Sequence, residues 1–216
     1  MIDITNILFL VVILVISIGL HEYAHAYVAY RLGDYTPKGQ NRLTVNPFAH
    51  IDLLGFLMLF VIGFGRGKAV QVNPMSFKDP AKGLLLTSIA GPITNIILGI
   101  LGTIILMLYI YIVSPMYLEY GYLQFDIISK FWMYFASINY GLAVFNMMPI
   151  PPLDGFTVLN YFNPRLGAFI YANKFVIALL FFSILIFQKT IIIGFIQGVS
   201  GFMFSVIYYL LSFLFI

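Results

Sequence analysis

From Ile4 to Leu20 the chain carries no ionisable side chain, and His21-Glu22-Tyr23-Ala24-His25 follows at once. This junction constrains the fold more than any other stretch. An apolar run of that length, continued to about Leu32, crosses a bilayer as a helix, because every backbone N–H and C=O must be satisfied within the segment. On a helix His21 and His25 are i and i+4, one turn apart on one face, so both imidazoles reach a single metal ion. Glu22 stands beside them as a candidate base for a water molecule. The pattern fixes only three residue types, and in a soluble helix chance would compete with the metal reading. Here the ionisable groups adjoin a membrane-spanning run, where they are costly and mark function.

The remainder of the chain agrees with a membrane setting. Of its 216 residues, 62% are hydrophobic and 9% charged, against about 25% charged in a soluble domain. A net charge of +3 on so apolar a chain excludes a nucleic-acid binder. The absence of cysteine excludes disulfides and thiolate zinc sites. Any metal must use His, Asp or Glu. The first apolar run follows Asp3 without a basic leader or an A-x-A site, so it is expected to remain as a membrane helix.

Further segments are expected at about Gly83 to Val113, Phe131 to Met148, Leu166 to Phe187 and Thr190 to Phe215. Leu53 to Phe64 is apolar but too short to span, and reads as re-entrant. Residues 43–45 and 69–72 read as short strands, which must be buried in protein or line a wet cavity. The expected fold is therefore an all-α polytopic membrane protein. It has about five to six transmembrane segments, short membrane-associated strands and a re-entrant segment. One domain is expected over 1–216, with its core at 4–160 and accessory helices at 166–216. With 53–64 re-entrant, nine of the eleven basic residues fall on one side: Arg31, Lys38, Arg42, Arg66, Lys68, Lys78, Lys82, Arg165 and Lys174. The positive-inside rule makes that side cytoplasmic and sets the His-Glu cluster near it.

A catalytic zinc takes three protein ligands and keeps one open position. Glu119 lies in a loop on the opposite side. His50 and Asp52 follow the histidines in the first loop and spacing does not exclude them, while Asp34 lies nine residues past His25 in a turn. Asp154 is the best candidate. It follows a helix returning to the same side and sits in a segment broken by Pro149, Pro151 and Pro152. Its competing role is that of a turn or helix-capping residue. Asn95 and Asn146 are amides in apolar settings, able to donate to an oxyanion or substrate backbone or to join helices.

Three blocks, HEYAH at 21–25, AGPITN at 90–95 and NMMPIPPLDG at 146–155, resemble those of the site-2 proteases, a family of intramembrane zinc metalloproteases. RLGDYTPKGQNRLTVNPFAHID resembles the small prokaryotic branch. The match covers about residues 15–160. The resemblance implies one zinc ion per chain held by His21, His25 and Asp154, with Glu22 as catalytic base. It also implies that Asn146, Pro149 and Pro151 engage the substrate, a membrane-spanning protein or peptide such as a signal-peptide remnant. The expected location is the cell membrane. Two alternatives remain: a family member that binds helices without cutting, and a metal transporter. The transporter would need ionisable residues at several depths, and Glu22 argues against an inactive member.

Overall fold

The computed structural model describes residues 4–52, 55, 67–113, 126–187 and 189–212. Among these, eight α-helices run in order: α1 Ile4–Arg31, α2 Thr36–Gly39, α3 Pro80–Val113, α4 Ile127–Asn146, α5 Asp154–Phe162, α6 Pro164–Ala172, α7 Lys174–Phe187 and α8 Lys189–Ser212. Single 3₁₀ turns at Pro47–Ala49 and Pro74–Ser76 punctuate the polar loop. Each begins at an asparagine, Asn46 or Asn73, whose side chain accepts the N–H two residues on.

The core is a packing of α1, α3 and α4, with α3 at its centre. On α1, Ile13, Ser17, His21, His25 and Ala29 are buried at four-residue spacing, a single stripe turned toward the bundle. On α3, small residues let the neighbouring helices approach. A Cβ on Gly99 would lie 2.4 Å from the Tyr140 ring, and one on Gly102 would lie 2.9 Å from Phe135. Thr103 and Tyr140, both fully buried, share a hydrogen bond of 3.1 Å across the α3–α4 contact. Asp126 caps α4 by accepting the Ser129 N–H at 2.8 Å.

Among the described residues, three helices are long and apolar enough to cross a membrane: α1, α3 and the Gly194–Ser212 part of α8. The pair α6 and α7, bent by 79° at its break, makes a fourth if counted as one span. The described residues thus give three to four candidate spans of the expected five to six. The difference arises mainly at the third expected segment. α4 has 20 residues, but Lys130, Ser137, Asn139 and Asn146 dilute its apolar character. The re-entrant reading of 53–64 falls on residues that, apart from Gly55, lie outside the described set, as does Glu119.

The expected strands at 43–45 and 69–72 do not form. These residues are irregular, and among the described residues pairing here is limited to one isolated antiparallel bridge between Ile51 and Gly67. The physical reason is that the backbone of 68–73 is satisfied by other groups. Lys68 N–H donates to the His50 carbonyl, and Gln71 exchanges hydrogen bonds with the Gln40 amide. Val70 N–H donates to Glu22 and Asn73 N–H to Asp34. Side chains from α1 and the loop around α2 occupy the places that a second strand would fill.

Candidate metal centre

His21 and His25 project from the end of α1 toward the middle of α3, and Asp154 enters from the first residue of α5. A close contact fixes the start of α5. A Cβ on Gly155 would lie 2.1 Å from the Met147 carbonyl oxygen, so only glycine lets this turn lie against the end of α4. Before it, the Ile150 N–H donates to Met148 and the Leu153 N–H to Ile150, winding the proline-rich link tightly. Asp154 thereby meets residues 129 and 133 positions earlier in the chain.

The two imidazoles are oriented from behind. His25 Nδ1 lies 2.7 Å from the Thr87 carbonyl oxygen, which can only accept, so this nitrogen carries the proton. Gly91 has no side chain, which brings the histidines close to the backbone of α3, and Pro92 beside it has no N–H for the Ser88 carbonyl. His21 Nδ1 lies 2.6 Å from Asn95 Oδ1. Asn95 Nδ2 donates to Asn139 Oδ1 at 3.0 Å, and Asn139 Nδ2 donates to the Phe135 carbonyl at 2.9 Å. Because that last carbonyl only accepts, the chain of bonds has one direction, and His21 must donate through Nδ1.

Both Nε2 atoms therefore present lone pairs to the same point. They are 3.0 Å apart, and Asp154 Oδ2 lies 3.2 Å from that of His21 and 3.4 Å from that of His25. Asp154 Oδ2 is buried and has no hydrogen-bond partner beyond these ion-pair contacts. Three acceptors so close repel unless a positive centre lies among them. The donors fit zinc. Bonds of 2.0–2.2 Å to a tetrahedral ion require ligand atoms roughly 3.3–3.6 Å apart, close to the observed separations. Gly91 supplies the room, since a Cβ there would lie 2.5 Å from His25 Nε2 and 2.6 Å from His21 Nε2.

A cavity of about 310 Å³ opens in front of the cluster. Glu22, Asn146, Val70, Leu84 and Phe145 are among its lining residues. Glu22 Oε2 accepts the Val70 N–H at 3.3 Å, and Gly67 lies against the same side chain. Asn146 Nδ2 donates to the Leu142 carbonyl, leaving its second N–H and its oxygen uncommitted to that bond. Asn95 is fully buried behind His21 with both ends of its amide engaged. Pro149 lines a separate apolar groove with Met147, Phe195 and Met203, and Pro151 lines neither hollow.

The rival ligands are elsewhere. Asp34 is fully buried and accepts the Thr36 and Asn73 N–H groups, which ties the loop together. His50 is fully buried with Nε2 on the Thr44 carbonyl. Among the described residues, His21, His25 and Asp154 form the one cluster able to hold a metal. Sequence reasoning passed over Asn139 and Thr87. A lone amide in the apolar run Ser137-Ile138-Asn139-Tyr140 was the available signal for the first.

Comparison with known proteins gives the same reading. Residues 109–188 match the model of peptidase family M50. The chain is 38% identical over 156 residues to "Putative zinc metalloprotease YwhC" of Bacillus subtilis, covering 72% of this chain and 69% of that protein. It is 32% identical over 207 residues to Rip2 of Mycobacterium tuberculosis, which bears the same description, covering 90% of this chain and 70% of that protein. MJ0611 of Methanocaldococcus jannaschii, again so described, is 28% identical over 168 residues, 76% of either chain. No solved structure matches. With its histidine pair facing Asp154 across the Gly91 gap, and with relatives of this length and identity, the chain belongs to peptidase family M50, the site-2 protease family of zinc metalloproteases.

Proposed function

We propose that the protein is an intramembrane endopeptidase that hydrolyses peptide bonds in or near the transmembrane segments of membrane proteins or signal-peptide remnants. His21, His25 and Asp154 hold one zinc ion, and Glu22 is the general base. The observation that carries this reading is the convergence of three buried acceptor atoms, all within 4.8 Å of one another, beside a carboxylate that faces the same cavity. Zinc bound there supplies a Lewis acid that lowers the pKa of water and polarises a carbonyl. The residues of the chain do the rest. Glu22 takes a proton from the attacking water and returns it to the leaving amine nitrogen. The Val70 N–H, donating to Glu22 Oε2, holds the carboxylate at the cavity wall. Asn146 offers an N–H to substrate backbone or to developing negative charge. Leu84, Val72, Leu142 and Phe145 keep the cavity apolar and suit it to a lipophilic peptide. A membrane helix hides its carbonyls in its own hydrogen bonds, so the substrate must unwind before it is cut.

The basic residues Arg31, Lys38, Arg42, Lys68, Lys78 and Lys82 run from the last residue of α1 to the first turn of α3 and support a site near the cytoplasmic face. The transporter alternative is disfavoured by the single cluster of metal-binding type among the described residues. The test is co-expression with a panel of single-span proteins and cleaved signal peptides. Wild type is expected to cut a member of the panel, and Glu22→Gln to hold that member uncut while retaining zinc. Loss of zinc in Glu22→Gln, or equal cleavage by both, would overturn the assignment.

A further inference from the structure

We propose that Asn139 on α4 is a positioning residue for the metal centre, acting through Asn95 to keep the Nε2 lone pair of His21 turned to the zinc ion. The inference rests on the zinc reading of the histidine cluster and deepens it. His25 needs no side chain for this purpose, because the Thr87 carbonyl fixes it through backbone alone. His21 depends on a relay of two amides, and an amide is reversible. Asn95 can accept from His21 only while its Nδ2 has a partner on the far side. Asn139 Oδ1 is that partner, and Asn139 is in turn held by the Phe135 carbonyl. Both amides are fully buried, so no water can replace a lost partner.

Removing the Asn139 oxygen leaves a buried N–H₂ of Asn95 with nowhere to donate. Rotating the Asn95 amide relieves this by donating to His21 Nδ1 instead. His21 must then carry its proton on Nε2, which blocks the lone pair that the metal needs. Loss of such an outer partner typically costs about 10- to 100-fold in metal affinity. The packing of α4 on α3 is thus coupled to zinc binding through a specific bond, separately from its contribution to stability.

The experiment measures zinc affinity by chelator competition on protein purified in detergent, with thermal stability followed in parallel. Four variants are compared with wild type. Asn139→Leu keeps the volume and removes the acceptor, and is expected to bind zinc about 10- to 100-fold more weakly. Asn139→Asp keeps an oxygen for Asn95 and is expected to restore most of that affinity even if its stability falls. Tyr140→Phe removes the neighbouring α3–α4 hydrogen bond to Thr103 without touching the relay; it is expected to lower stability and leave zinc affinity unchanged. His21→Ala marks the loss of a ligand. Wild-type affinity in Asn139→Leu overturns the proposal, as does a loss in Tyr140→Phe equal to that in Asn139→Leu, or a failure of Asn139→Asp to recover. If wild type and His21→Ala bind zinc equally, the zinc reading itself fails, which is a different result from failure of the relay alone.

Discussion

α3 and α8 are both long, apolar and rich in glycine, yet they use these properties in opposite ways. In the apolar stretch of α3, 39% of residues are buried; in that of α8, 6% are. The glycines show the same division. Gly91, Gly99 and Gly102 of α3 each touch a side chain of a neighbouring helix, whereas a Cβ on Gly194, Gly198 or Gly201 of α8 would meet nothing within 4 Å. α3 also buries Thr87, Asn95 and Thr103, while Ser200 is the one buried polar residue described on α8. In lipid, apolar surface alone does not draw helices together, so close packing comes from small residues and specific polar contacts. The helix that holds the site is therefore the one whose small and polar residues have partners. A glycine-rich apolar sequence by itself does not distinguish the two.

The contrast is sharpened by variants of graded effect. The largest effect is expected at the cavity wall: Glu22→Gln should lower cleavage by about 10²- to 10⁴-fold, as loss of a general base does, while zinc content measured by elemental analysis stays at the wild-type level. Next comes Gly91→Ala. Its Cβ would fill the space between the imidazoles, so zinc content is expected to fall by about tenfold or more. Wild-type zinc in Gly91→Ala would remove the steric argument for the site. Third, Gly99→Ala presses a methyl group on Tyr140 and should destabilise the protein by about 1–3 kcal/mol. Gly198→Ala, with open space around it, should change stability by less than about 1 kcal/mol. Equal shifts in the two melting curves would erase the distinction between α3 and α8.

The smallest effect is expected at the start of α4. The Tyr109 hydroxyl, followed by the backbone and hydroxyl of Ser129, holds the exposed Asp126 carboxyl below its usual range. A group with a lowered folded pKa contributes stability above its unfolded pKa and loses it as the pH falls through the folded value. Asp126→Asn should therefore melt slightly below wild type at neutral pH. The gap should close as the pH drops beneath the ordinary carboxylate range. A gap that does not vary with pH would show that the charge has no part in it.

How much of this was legible beforehand depended on range. The histidine pair is a property of one helix, and i, i+4 spacing reveals it without a fold. Asp154 stood out as a candidate because it is a carboxylate beside three prolines in an apolar chain, and the structure brings it to the two histidines. The strands at 43–45 and 69–72 were misread because alternation describes a half-buried extended segment whether or not a second strand pairs with it. Gln40, Asp34 and Glu22 took that place, and no local pattern announces a side chain arriving from about 30 or more residues away. Asn139 was missed for the same reason: its importance lies in what stands behind Asn95, a relation between two helices. At α4 the candidate spans among the described residues differ from the expectation, because that helix trades apolar residues for the polar groups that serve the core.

The distance in sequence between the proposed ligands has a consequence in time. His25 and Asp154 are separated by 129 positions, and at about 5–20 residues per second a ribosome takes roughly 6–26 s to cover them. During that interval the histidines and Glu22 have been made, and the helices that orient them, α3 and α4, emerge in turn. The carboxylate that completes the set comes last, on α5. A hydrolase built in this order has no finished centre while its own core is still an unwound, cleavable chain. The wide spacing of the set means that the third proposed ligand is made only after α1, α3 and α4, the helices of the core.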